Sequence, residues 1–245
     1  MVEQLAAMVA EAESIAVLTG AGISTASGIP DFRSAGGVYS SGNANVFDLN
    51  AFIRNPSIFY TFARSFYPQV RDAQPNAAHQ ALAEWQRRGK EVTVVTQNVD
   101  DYHQRAGSSP VYTVHGNHIH STCLKCGDRV ETETLLPLIL AGEIPRCSCK
   151  GVYKPDITFF GEMLPEYDWD ASVAAIHRAD LVLVLGTSLS VYPAAGLPGY
   201  RRLGAKLAIV NRDPTPLDPE ADCVIHGDLC SVMEQVSSLF SKDRH

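Results

Sequence analysis

The sequence predicts an α/β protein, a parallel sheet covered by helices on both faces and interrupted by a small inserted module. Three observations lead there. Short, mainly apolar runs recur at 15–19, 92–96, 181–185 and 207–210, with a shorter one at 223–225; such runs are strands buried on both faces. Stretches with helical spacing of apolar residues separate them. Four of the six cysteines crowd into 123–149, a region with few long apolar runs, which breaks the alternation.

Residues 2–13 set Glu3, Glu11 and Glu13 into an apolar pattern, an amphipathic helix rather than a secretion signal. The strand at 15–19 runs into Gly20-Ala21-Gly22-Ile23-Ser24. Glycines there let the backbone turn tightly and approach a pyrophosphate, whose charge favours a helix N-terminus. The third glycine of a full dinucleotide fingerprint is replaced by Thr25. A tight turn alone would explain two glycines, but not the Ser27-Gly28-Ile29-Pro30-Asp31-Phe32-Arg33 that follows, with an acid, an aromatic ring and a base together. Residues 34–45, rich in Gly, Ser, Ala and Asn, predict a mobile loop placed where a lid would sit. Helices are expected at 58–67 and 77–88, the second capped by Asn76 and stopped by Gly89.

The strand at 92–96 ends in Thr96-Gln97-Asn98-Val99-Asp100. Ligands of open α/β sheets bind outside the carboxyl ends of strands, and these side chains suit a ribose or an amide; the alternative is a polar turn in which Asp100 caps a helix. A strand-like run at 111–114 delivers His115 just before the cysteine module, where a neutral imidazole can take a hydroxyl proton. Cys123-x2-Cys126 and Cys147-x-Cys149 offer four thiolates in two close pairs, a tetrahedral structural zinc site with no position left for water. A helix at 171–178 precedes the strand at 181–185, which ends in Gly186-Thr187-Ser188; the strand at 207–210 ends in Asn211. Asp228 caps a final helix at 229–240.

With 245 residues, 45% of them hydrophobic, the chain can bury one large domain and an insertion. A formal net charge of -7 argues against nucleic acid held by bulk electrostatics and welcomes a basic peptide. No apolar run reaches the roughly 18 residues of a membrane span. The expected location is cytoplasmic, where structural disulfides are rare and Cys223 and Cys230 are ordinary thiols.

The motifs together resemble the sirtuin family. Gly20-Ala21-Gly22-Ile23-Ser24 through Arg33, Thr96-Gln97-Asn98-Val99-Asp100, His103-Gln104-Arg105-Ala106-Gly107 and His115-Gly116-Asn117 carry the likeness. It continues through Lys154-Pro155-Asp156, Phe159-Phe160-Gly161-Glu162, Leu185-Gly186-Thr187-Ser188-Leu189, Tyr192-Pro193-Ala194 and Val210-Asn211, over nearly the whole chain. The resemblance implies a Rossmann-like parallel sheet domain (1–33, 76–115 and 163–245), a cofactor loop and helical insertion (34–75) and a zinc-binding module (116–162). It implies NAD as co-substrate, one structural zinc, and acetylated lysine in a protein or peptide as partner. Gly20, Ala21, Gly22, Thr25, Phe32 and Arg33 would contact NAD. Gln97, Val99 and Asp100 would line the ribose and nicotinamide pocket, and Gly186, Thr187, Ser188, Asn211 and Leu229 the phosphates and adenosine. Thr158 and Phe160 would clamp the peptide. His115 would be the general base on a ribose hydroxyl, with Asn98 orienting ribose and water.

The chain departs from the family pattern at three places. Its second cysteine pair is Cys-x-Cys rather than Cys-x2-Cys, and Asp101-Tyr102 replaces a small or basic residue followed by Leu. The Tyr and Arg that mark the branch acting on acidic acyl groups stand three apart, whereas Tyr60 and Arg64 are four apart; acetyl and other uncharged acyl groups are therefore expected. Three rivals remain at this stage. A mono-ADP-ribosyltransferase would use the same NAD site, a dehydrogenase is disfavoured by the missing glycine, and a non-catalytic zinc ribbon is disfavoured by charge and crevice.

Overall fold

The computed structural model describes residues 1–32, 36–38 and 45–242. Arg33 and most of the loop expected at 34–45 lie outside the described residues.

The first apolar run becomes β1 (Ser14–Thr19), preceded by α1 (Val2–Glu11). The others become β2 (Glu91–Thr96), β3 (Val111–Thr113), β7 (Leu181–Leu185), β8 (Lys206–Val210) and β9 (Cys223–Ile225), with β4 to β6 intervening in the chain. These six form one sheet in the order β3-β2-β1-β7-β8-β9, each pair parallel. Strand order reverses between β1 and β7, which places a crevice at their carboxyl ends.

Helices cover both faces because the central strands β1, β2, β7 and β8 are buried almost throughout. On one face α1, α4 (Ala77–Arg87) and α8 (Leu229–Lys242) bury Leu5, Val9, Leu82, Trp85 and Met233 against Ile15, Val17 and Leu183. On the other, α7 (Glu166–Arg178) and the turn at Ala194–Tyr200 cover Leu18, Val184 and Ile209. Asn76 caps α4 by accepting from the Ala78 N–H, with His79 completing a reciprocal cap; Asp228 accepts from the Ser231 N–H at 2.8 Å.

The inserted part has its own core. α2 (Leu49–Arg54), α3 (Ser57–Asp72) and α6 (Thr132–Leu140) pack on a three-stranded antiparallel sheet of β5 (Arg129–Glu131), β4 (Gly116–Cys123) and β6 (Tyr153–Ile157). Its centre is aromatic. Phe47 meets Phe32, Phe59, Phe62 and Phe159 edge-on at 5.5–6.1 Å, a favoured geometry for rings. Helical insertion and cysteine region thus share one core rather than forming separate modules. No described helix is long and apolar enough to cross a membrane.

One expectation is corrected. No α-helix follows the glycine motif: Ala21–Ile23 and Thr25–Ser27 are single 3-10 turns, so a helix dipole cannot be invoked there. The glycines are also required by close packing at the switch point. A β-carbon on Gly22 would stand 2.7 Å from the Gly186 carbonyl oxygen, and one on Gly186 would stand 2.4 Å from the Ile23 nitrogen.

Candidate active site and metal centre

The crevice is a cavity of about 460 Å³ between the two cores. Sheet ends build one wall. Gly20, Ala21, Gly22 and Thr25 follow β1; Gln97, Asn98 and Val99 follow β2; Gly186, Thr187 and Ser188 follow β7; Asn211 follows β8; Leu229 opens α8. Phe32, Phe47, His115, Thr158 and Phe160 complete the lining. The sequence-predicted residues thus converge on one space, with two exceptions. Arg33 is not among the described residues. Asp100 lies beneath the wall, accepting from Ser24 Oγ at 2.9 Å and from the Tyr102 N–H at 3.2 Å, and burial raises its pKa.

His115 ends the β3 crossing, and the Cβ-free Gly116 behind it (φ +68°) lets the chain pass the Asp156 carbonyl. Its Nδ1 lies 3.0 Å from the Gln97 carbonyl oxygen. A carbonyl only accepts, so Nδ1 carries the proton and the lone pair of the neutral ring sits on Nε2. Burial pulls the pKa of His115 below its ordinary value, against the smaller opposing effect of that carbonyl. The ring is therefore a neutral base at pH 7.

Around it the wall is tightly tied. Gln97 Nε2 donates to Thr187 Oγ1 at 3.1 Å, and Asn98 Nδ2 donates to Ser24 Oγ at 3.1 Å. The Thr158 N–H donates to the His115 carbonyl at 2.8 Å, while Phe160 bonds to Phe47 and Leu49 through its backbone. Phe160 leaves 52% of its surface exposed, an apolar ring facing solvent at the mouth. Sequence reasoning gave no role to Ser24, Glu162 or Ser190 to Pro193, which the fold brings to the site or its rim. Ser24, Glu162, Tyr192 and Pro193 were signalled by their place in the family motifs, and Ser190 and Val191 by nothing.

The four cysteines lie in the turn after β4 and the loop before β6. Their Sγ atoms all fall within 4.8 Å of one another, with Cys123 to Cys149 at 3.5 Å and Cys126 to Cys147 at 3.6 Å. A tetrahedral zinc with bonds of about 2.3 Å needs sulfurs about 3.8 Å apart, so the set fits. The one-residue spacing of Cys147 and Cys149 is no obstacle, because Lys150 turns through φ +70° and the loop closes on itself. The cluster stands at the far end of β4 from Gly116, roughly 20 Å along the strand, and none of the four cysteines lines the cavity.

Sheet order, crevice and cysteine cluster define a nucleotide-binding α/β enzyme with a structural metal module. The profile of the Sir2 family matches residues 20–193, and the chain belongs to that family. It is 41% identical to an NAD-dependent protein deacetylase of Cutibacterium acnes over 242 residues, 96% of each chain. It is 41% identical to one from Thermotoga maritima over 228 residues, 92% of this chain and 93% of that one. A Sir2 structure with a p53 peptide and NAD+ superposes with a TM-score of 0.90 at 39% identity, covering 97% and 98% of the two chains.

Proposed function

We propose that this chain is an NAD-dependent protein lysine deacetylase, converting NAD, acetyl-lysine and one water to nicotinamide, O-acetyl-ADP-ribose and free lysine, with His115 as general base. The single observation that carries the residue-level reading is the neutral, Nδ1-protonated imidazole on the cavity wall, among side chains from four strand ends. NAD, when bound, supplies an electrophilic ribose carbon and a nicotinamide leaving group.

The residues divide the work. Gly20, Ala21, Gly22, Thr25 and Phe32 hold the cofactor on the β1 side; Gly186, Thr187, Ser188, Asn211 and Leu229 receive its phosphates and adenosine. Gln97, Val99 and Asn98 surround the sugar, with Asp100 setting the wall behind them through Ser24. His115 Nε2 takes the hydroxyl proton. Thr158 and the exposed Phe160 clamp the peptide. Arg33 is kept as a cofactor contact on the family motif alone. The Rossmann-like part (1–33, 76–115, 163–245) carries NAD, while 34–75 and 116–162 close over it as one small domain. Holding both reactants in one cleft contributes orientation worth about 7–11 kcal/mol in favourable cases.

Acetyl and other uncharged acyl groups suit the pocket. Tyr60 Oη is spent on the Tyr153 carbonyl at 2.5 Å, and the Arg64 guanidinium lies beside Gly142; neither lines the cavity.

The test is incubation with labelled NAD and an acetylated peptide. Soluble acetyl-ADP-ribose with stoichiometric nicotinamide is expected, and none from His115→Ala. Label bound to protein without deacetylation would favour ADP-ribosyl transfer instead.

A further inference from the structure

Beneath the cavity runs a buried chain of hydrogen bonds that the scheme above does not use. His103, on α5 (Tyr102–Ala106), is 1% exposed, and its Nε2 lies 3.0 Å from Thr19 Oγ1 at the end of β1. Thr19 Oγ1 donates to Thr96 Oγ1 at 2.8 Å, and Thr96 Oγ1 accepts from the Asn98 N–H at 3.0 Å. All three side chains are shut off from solvent.

The protons can be assigned. Thr19 has one hydroxyl proton and gives it to Thr96, so it must accept from His103 Nε2–H. His103 Nδ1 has no hydrogen-bond partner, and a proton there would be buried without an acceptor. Burial holds His103 far below its ordinary pKa, so the ring is neutral and carries its single proton on Nε2.

The last link matters because of what the peptide bond is. The Asn98 N–H and the Gln97 C=O belong to one planar unit, so fixing one fixes the other. The Gln97 carbonyl is the group that takes His115 Nδ1–H. From this geometry we infer that His103, Thr19 and Thr96 are positioning residues: they set the Gln97–Asn98 peptide plane and, through it, the tautomer and orientation of His115. Buried polar groups usually need partners for stability alone. A purely structural role, however, would not require the chain to end on the one carbonyl that selects the nitrogen left free for catalysis.

This inference rests on His115 being the general base, and its test separates the two. On the full chain, 15N spectra of the histidine rings, assigned with His115→Ala and His103→Asn, report each tautomer directly. His115 is expected as Nδ1–H and His103 as Nε2–H in the unmutated protein. Thr19→Val, which removes only the hydroxyl, should turn His115 into a mixture of tautomers. It should lower kcat about tenfold while leaving KM for NAD and for peptide within about twofold. Thr19→Ser restores the hydroxyl and should restore both readouts. A Thr19→Val protein with unchanged kcat and pure Nδ1–H at His115 would overturn the inference. So would His103 carrying its proton on Nδ1 in the unmutated protein, which decides the matter even if Thr19→Val does not fold. Normal turnover by His115→Ala would remove the base assignment instead, without touching the spectra.

Discussion

At the scale of single residues, burial does most of the tuning. It lowers the pKa of His115 below the ordinary value near 6.5, with the Gln97 carbonyl restoring part of it. A base whose folded pKa is depressed stays unprotonated until the pH falls through that lower value. The acid limb of kcat/KM with an acetylated peptide should therefore lie below about 6.5. A limb centred above pH 7 would contradict the environment described. Tyr102, where the family pattern has Leu, is wholly buried and donates to the Val70 carbonyl at 2.9 Å. Arg105 adds a bond to the Ala73 carbonyl and lies over the Tyr102 ring. The substitution thus fastens α5 to the end of α3, which its place in the sequence did not reveal.

At the scale of elements, the segment after β6, proposed above to clamp the peptide, is held by one buried lysine. Lys154 Nζ reaches Glu162 and the Ile157 carbonyl at 2.7 Å each and sits 4.2 Å above the Phe159 ring; Glu162 also accepts from the Phe159 N–H. Its side chain is only 7% exposed, so removing the charge strands Glu162 at a cost of about 3 kcal/mol. Lys154→Met should raise KM for the acetylated peptide about tenfold with a smaller change in KM for NAD; equal changes would show that the strand is not the element affected. The cysteine loop is the second such element. Cys123 and Cys147 belong to the same core as Phe59 and Phe159. Cys123→Ala, or chelation, should therefore release zinc, melt the small domain and abolish activity despite the metal's distance from His115. A metal-free protein with an unchanged melting profile would refute this.

At the scale of the molecule, two buried histidines make the fold sensitive to acid. His79 and His103 lie 4.8 Å apart between α4 and α5, His79 with its pKa pushed down to about 4 and His103 well below its ordinary value, both by burial. In the unfolded chain both titrate near 6.5, so below that pH the unfolded state binds more protons and stability falls. For His79 the loss is on the order of 3 kcal/mol between pH 6.5 and 4. Thermal melts should be flat above pH 7 and drop steadily below 6.5, and His79→Gln should flatten that slope. An equally steep slope in the variant would place the acid sensitivity elsewhere.

The sequence by itself determined the parallel sheet and its central strands, because a strand buried on both faces has no choice but to be apolar. It also determined the four-thiolate cluster, because ligand chemistry restricts residue type and spacing. It did not reveal α6, whose apolar stretch is broken by Pro137, nor β4, whose Gly116-Asn117-His118 start is polar and partly exposed. It did not show that Gly22 and Gly186 also admit one loop against another. Only the tertiary structure decided which nitrogen of His115 is free, where Asp100 points, and that Thr19 stands directly opposite Thr96 in the β1–β2 register. Hydrogen bonds between residues some 80 positions apart follow from strand pairing and side-chain direction, and neither is written in local composition.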